Sequence, residues 1–136
     1  MITPQTIGNI LYRDCKAFGI AERYVVLPGD NSDEIPNGEV TDERIVIHVK
    51  RQAPGTYWRK SLNEVNILVP RIQNRPDRIR CEQLEQETME KLDGVTGSYN
   101  GAHYLYSVES IGTDADDALD CECVNARILF EVLNVK

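Results

Sequence analysis

The apolar positions Ile7, Ile10, Leu11, Cys15 and Phe18 recur at steps of three and four, the spacing of one helical face. Thr3 offers an N-cap hydroxyl and Pro4 a pre-set φ for the first helical position. Gly19 falls where a left-handed residue ends a helix. The pattern predicts an amphipathic helix over residues 3–18. Residues 23–27 predict a short strand stopped by Pro28-Gly29. The β-branched run Ile45-Val46-Ile47-His48-Val49 predicts a second strand, and the segment from Tyr57 to Val69, closed by Pro70, a third. The turn Ala53-Pro54-Gly55 between the last two pairs them as a hairpin.

Asn74-Arg75-Pro76-Asp77 opens a second helix, with Pro76 in its first turn. Cys81, Leu84, Thr88, Leu92 and Val95 form its stripe; Ile79 lies off it and Met89 at its margin, and Gly94 and Gly97 end the segment. Two strands follow, over 104–111 and 121–133, joined by an acidic loop. In the last, Val124, Ala126, Ile128, Phe130 and Val132 alternate with Cys123, Asn125, Arg127 and Glu131, although Leu129 and Leu133 keep the second face partly apolar. The even-numbered face is expected to pack against Ile7, Leu11 and Phe18 or against Leu84 and Leu92. The order α-β-β-β-α-β-β predicts an α+β fold, an antiparallel or mixed sheet of about four to five strands packed with two helices. It is expected as a single domain over residues 1–136.

Charge narrows the partners. The chain carries 22 acidic and 15 basic residues, a net charge of −7, which opposes a broad phosphate-binding surface. Six carboxylates (Asp30, Asp33, Glu34, Glu39, Asp42, Glu43) and no cation occupy 29–43, which predicts a long polar loop. No apolar run is long enough to span a bilayer, and Met-Ile-Thr-Pro-Gln does not begin like an export signal, so no membrane association is expected.

The candidate chemistry is thin. Cys121 and Cys123 stand two apart on a strand and so project from one face, but a closed zinc site needs four ligands, and no second Cys or His pair lies nearby. Asp114-Ala115-Asp116-Asp117 lacks the glycine and the twelfth-position carboxylate of a calcium loop. Cys15 and Cys81 fall on apolar helix stripes, as buried thiols would. No nucleophile elbow, phosphate loop or dinucleotide fingerprint is present. The expectation is no catalytic residue, no metal and no cofactor.

The basic residues form two groups. Lys50 and Arg51 precede the hairpin turn, and Arg59 and Lys60 follow it, with Tyr57 and Trp58 between. Arg71, Arg75, Arg78 and Arg80 gather at the start of the second helix. Cations interleaved with aromatic rings can engage nucleic acid by phosphate contact and stacking, or supply anchors for a protein interface. The net negative charge favours the protein interface, with Tyr57, Trp58, Arg59, Lys60, Lys50 and Arg51 as its residues.

In its whole organisation the sequence resembles the tail-completion (tail-terminator) proteins of tailed bacteriophages and prophages. The resemblance rests on the N-terminal helix, the strand ending in Leu27-Pro28, the segment Glu43-Arg44-Ile45-Val46-Ile47-His48-Val49, the segment Glu64-Val65-Asn66-Ile67-Leu68-Val69-Pro70 leading to an arginine-rich helix start, and the closing Cys123-Val124-Asn125-Ala126-Arg127-Ile128-Leu129-Phe130. It implies a non-enzymatic virion component, present in the host cytoplasm during assembly, that forms a ring, commonly a hexamer. Such a ring caps the tail tube and meets the head connector, with DNA passing through its lumen only as cargo. The loop at 29–43 and the Cys-x-Cys step depart from that pattern. Two other readings compete: a small metal-dependent hydrolase or nuclease using the carboxylates, and a regulatory module that binds a peptide on an exposed sheet edge.

Overall fold

Thr3 caps the first helix, α1 (Pro4–Cys15), as its sequence suggests. Its hydroxyl accepts from the Thr6 amide, and the Thr6 hydroxyl accepts in return from the Thr3 amide, a reciprocal capping box. One 3-10 turn, Lys16–Phe18, follows, and Gly19 closes it at φ 74°. Ile7, Ile10, Leu11, Cys15 and Phe18 are buried together. Gly8 lies on the same face, where a Cβ would come within 3.0 Å of Val49 Cγ2 and 3.2 Å of Leu27 Cδ1, so a glycine here lets the helix approach the sheet closely. The computed structural model describes residues 2–20, 24–27, 40–53 and 58–133.

The strands are β1 (Val25–Val26), β2 (Arg44–His48), β3 (Trp58–Pro70), β4 (Val95–Tyr99), β5 (Ala102–Asp116) and β6 (Cys121–Leu133), with helix α2 (Arg78–Leu92) between β3 and β4. They form one mixed sheet in the order β1-β2-β3-β6-β5-β4, antiparallel throughout except for the parallel β1–β2 pair. Among the described residues the fold is α+β, with two α-helices and six strands where four to five were expected. Among the described residues no helix is long and apolar enough to cross a membrane.

Three departures from the sequence reading have local causes. Val95 continues the spacing of the α2 stripe, yet the helix ends at Leu92: Asp93 is extended, and Gly94 turns the chain at φ 68°. Val95–Tyr99 then pairs with β5 as a strand that the helical spacing concealed. Pro76 does not open α2 from within. The N-cap is Asp77, whose carboxylate accepts from the Arg80 amide at 3.2 Å. Finally, the acidic loop shrinks to the turn 117–120, because β5 runs on through Asp114 and Asp116 in register with Cys123 and Cys121. Most of the predicted loop at 29–43 lies outside the described residues, as does Tyr57.

Both helices pack on one face of the sheet. Val124, Ala126, Ile128, Phe130 and Val132 are all buried on that face, in one cluster with Ile7, Leu11, Phe18, Leu84 and Leu92, as the alternation predicts. Phe130 stacks against Tyr104 and Tyr106 at centroid distances of 5.2 and 5.4 Å. The buried Asn63 is satisfied: its amide donates to Ser61 Oγ at 3.0 Å, and its carbonyl accepts from the Lys50 amide at 2.8 Å. The opposite face of the sheet carries a smaller cluster at the β5–β6 turn end, made of Val26, Val40, Val46, Leu68 and Cys121, with Leu119 and Cys123 packed on it. The Val40 amide donates to the Leu119 carbonyl, which holds that segment across this end.

Candidate interaction surfaces

The register of β3, β6 and β5 builds a surface at the far end of the helix-free face. Trp58 pairs with Leu133, Lys60 with Glu131, Leu62 with Leu129, and Glu64 with Arg127. Glu131 is in turn opposite Leu105, and Leu129 opposite Ser107. Strand pleating therefore lines Trp58, Leu62, Leu105, Leu129 and Leu133 along one side with Lys60 and Glu131 among them. Trp58 is 40% exposed, and a shallow cavity of about 450 Å³ is lined by Trp58, Thr96, Gly97, Ser98, His103, Tyr104 and Leu105. Further along, Glu64 sits 3.9 Å from both Lys50 Nζ and Arg127 Nε.

The six residues singled out by sequence are thus divided. Trp58 and Lys60 share the helix-free face. Arg59, between them, takes the other parity, opposite the buried Val132, so the same pleat that exposes Trp58 directs it away. Lys50 is tied at both ends, by its amide to Asn63 and by its ammonium beside Glu64. Arg51 is exposed, and Tyr57 lies outside the described residues.

Two of the four arginines at the start of α2, Arg71 and Arg80, are committed within the chain. Arg71 donates to Asp117 at 2.9 Å, to Asp120 at 3.0 Å and to Glu122 at 3.0 Å, three carboxylates on and beside the β5–β6 turn. Arg80 grips Glu43 in a fork, at 2.7 and 2.9 Å. Arg75 and Arg78 remain at the surface. The Arg71 clamp ties one guanidinium to three carboxylates. Sequence gave no route to it, since its partners lie 46 to 51 positions away.

The thiols are held protonated. Burial pushes Cys81 and Cys121 up to about 11 and Cys123 up to about 12, and it raises Cys15 further still. Cys121 and Cys123 point into the small cluster with Leu68 and Val46. Among the described residues no three of His, Cys, Asp and Glu converge as a set of metal ligands. On the helix side, the Tyr106 phenol donates to Asp14 Oδ2 at 2.6 Å and Arg13 donates to the Tyr104 hydroxyl at 3.0 Å, bonds that tie the end of α1 to β5. Comparison of the chain with protein-family models, with characterised proteins and with solved structures finds no match.

Proposed function

We propose that this chain is a structural assembly protein of a phage tail, whose copies join head to tail into a ring that closes the tail tube and receives the head connector. The observation that carries the reading is the half-exposed Trp58, standing in a row with Leu133 at the end of the sheet away from the small cluster. Exposed large aromatic side chains beside aliphatic ones are where interface energy concentrates. Lys60 and Arg51 add positive charge at this end, whereas Asp114 and Asp117 stand exposed at the opposite end of β5 and β6. One end of a copy is therefore complementary to the other end of the next. Contacts of that kind are heterologous and close into rings when the rotation permits.

The resemblance of the whole sequence to tail-completion proteins supplies the setting, a virion ring with tail-tube and head-connector partners. The charge of −7 fits a lumen that repels the phosphate backbone and lets DNA slide. The test is solution mass against salt. The ring should form at about 0.05 M salt and loosen at about 0.5 M, where exposed charges are screened beyond roughly 5 Å. Trp58→Ala with Lys60→Ala should leave a folded monomer. A variant that loses stability but keeps its assembly would show that Trp58 serves only its own sheet.

A further inference from the structure

β5 has a strand on both sides for only part of its length. It pairs with β4 over Ala102–Tyr106, and the Asp93 carboxylate then takes the Val108 amide at 3.0 Å, where that pairing stops. From Ser110 to Asp116 the strand holds β6 on one side in unbroken register, past a single irregularity between Val108 and Ser110. Among the described residues no strand lies on its other side. The middle of this edge, Ile111-Gly112-Thr113, carries no charge. Unpaired edges of this kind are templates for another strand unless the chain blunts them.

The flank of α2 forms the second wall. A cavity of about 640 Å³ lies between its first turns and Thr113, and a shallower, more open depression of about 390 Å³ lies between Met89 and Ile111. Glu85 lines both and accepts from the Thr113 hydroxyl at 2.6 Å, so the two are successive parts of one groove beside the edge. Ile79 and Met89, on the lining of these cavities, are 74% and 40% exposed. Edge protection explains carboxylates on an edge strand; it does not explain large apolar side chains displayed beside it. Gly112 adds an independent sign. Its φ is not in the left-handed region, and a Cβ there would meet nothing within 4 Å. Glycine inside a strand is a cost that nothing among the described residues requires here, and it often marks close approach by another backbone.

We propose that the open edge of β5, from Ser110 to Asp116, accepts an extended basic segment of another protein as an added strand, laid in the groove against α2. Main-chain bonds to the edge supply affinity. Alternate side chains of the incoming strand turn toward α2, where Glu82, Glu85 and Glu90 stand beside Ile79 and Met89. Among the described residues Arg78 is the single cation lining the groove, so the wall selects lysine or arginine with apolar residues interspersed. The proposed ring contact sets the Trp58 end of one copy against Asp114 and Asp117 of the next, so it borders this edge only at its last residues and leaves the groove beside Ser110 to Thr113 apart.

The probe is a capped octapeptide alternating valine and lysine, added to the isotopically labelled full chain and followed by amide NMR and hydrogen exchange. Binding should shift and protect amides between Ser110 and Asp116 and shift those from Ile79 to Glu90. A valine–glutamate peptide should not bind. Met89→Glu, or Glu82→Lys with Glu90→Lys, alters exposed positions and should weaken the probe at least tenfold, whereas Trp58→Ala with Lys60→Ala should leave binding unchanged. Shifts scattered over all acidic surfaces without protection of the β5 amides would overturn the proposal, as would equal binding by the Glu82→Lys, Glu90→Lys variant. Amides from Ser110 to Thr113 already protected without peptide at high concentration of the Trp58→Ala, Lys60→Ala variant would assign the edge to a second copy and overturn it likewise.

Discussion

Gly97 is the position where one methyl group should do the most damage. β4 is an edge strand, and the Tyr104 ring on β5 lies across it directly over Gly97. A Cβ at 97 would stand 2.9 Å from Tyr104 Cε2 and nearer still to Cζ and the hydroxyl, closer than real Cβ contacts allow. The ring has little freedom to yield, because it stacks on Phe130 at 5.2 Å and its hydroxyl accepts from Arg13. Displacing it weakens the aromatic contact, about 1 kcal/mol, and the hydrogen bond, about 1 kcal/mol at a site where Arg13 is mostly exposed. Replacing glycine stiffens the unfolded chain and returns about 0.5 kcal/mol. Gly97→Ala should therefore cost about 1–2 kcal/mol, a fall in Tm of roughly 3–7 °C for a domain of this size. The assay is a double-mutant cycle by denaturant unfolding. In a Tyr104→Ala background the clash is gone, and Gly97→Ala should be neutral or mildly stabilising. Equal destabilisation in both backgrounds would refute the steric argument.

Burial of the thiols sets a pH dependence. Cys81, Cys121 and Cys123 are raised in the folded state from 9.0 to about 11, about 11 and about 12, so their stabilisation is complete below about pH 9 and is lost as pH rises through their folded values. Urea midpoints should fall between about pH 9 and about pH 11, and a flat profile over that window would contradict the assignment. The same thiols should resist a thiol-reactive dye at neutral pH until denaturant is added; prompt labelling of Cys121 would place it at the surface. Arg71→Leu should free the β5–β6 turn while the core persists, seen as faster amide exchange at Asp117–Asp120 with little change at Phe130; unchanged exchange at the turn would mean the three carboxylates do not need their arginine.

What the sequence revealed depended on whether the signal was local. α1 was readable because Thr3, Pro4, the apolar stripe and Gly19 all belong to one helix. The buried face of β6 was readable because its alternation runs unbroken from Val124 to Val132. β4 was hidden because Val95 stands three positions after Leu92, a helical step, and only the Asp93-Gly94 backbone breaks the helix. The extension of β5 into acidic residues was hidden because Asp is a poor strand former, and what steadies the adjoining turn is Arg71, far away in sequence. The residues grouped around Trp58 divide by strand parity. Trp58 and Lys60 do share a face, but Arg59 was grouped with them by adjacency, and a two-residue period separates neighbours. The groove between β5 and α2 had no sequence signature at all, since an edge exists only once strand order is known.

The proposed ring requires that copies of this chain join through the Trp58 end. The most direct measurement is the solution mass of the protein by sedimentation velocity over a range of concentration and salt, alone and with purified tail tubes. Circular dichroism on the same samples verifies that each species is folded. The account predicts a closed oligomer, or a ring added at the end of the tube, that loosens at high salt and is lost in the folded Trp58→Ala, Lys60→Ala variant. A protein that stays monomeric at every concentration and leaves tail tubes uncapped would contradict it.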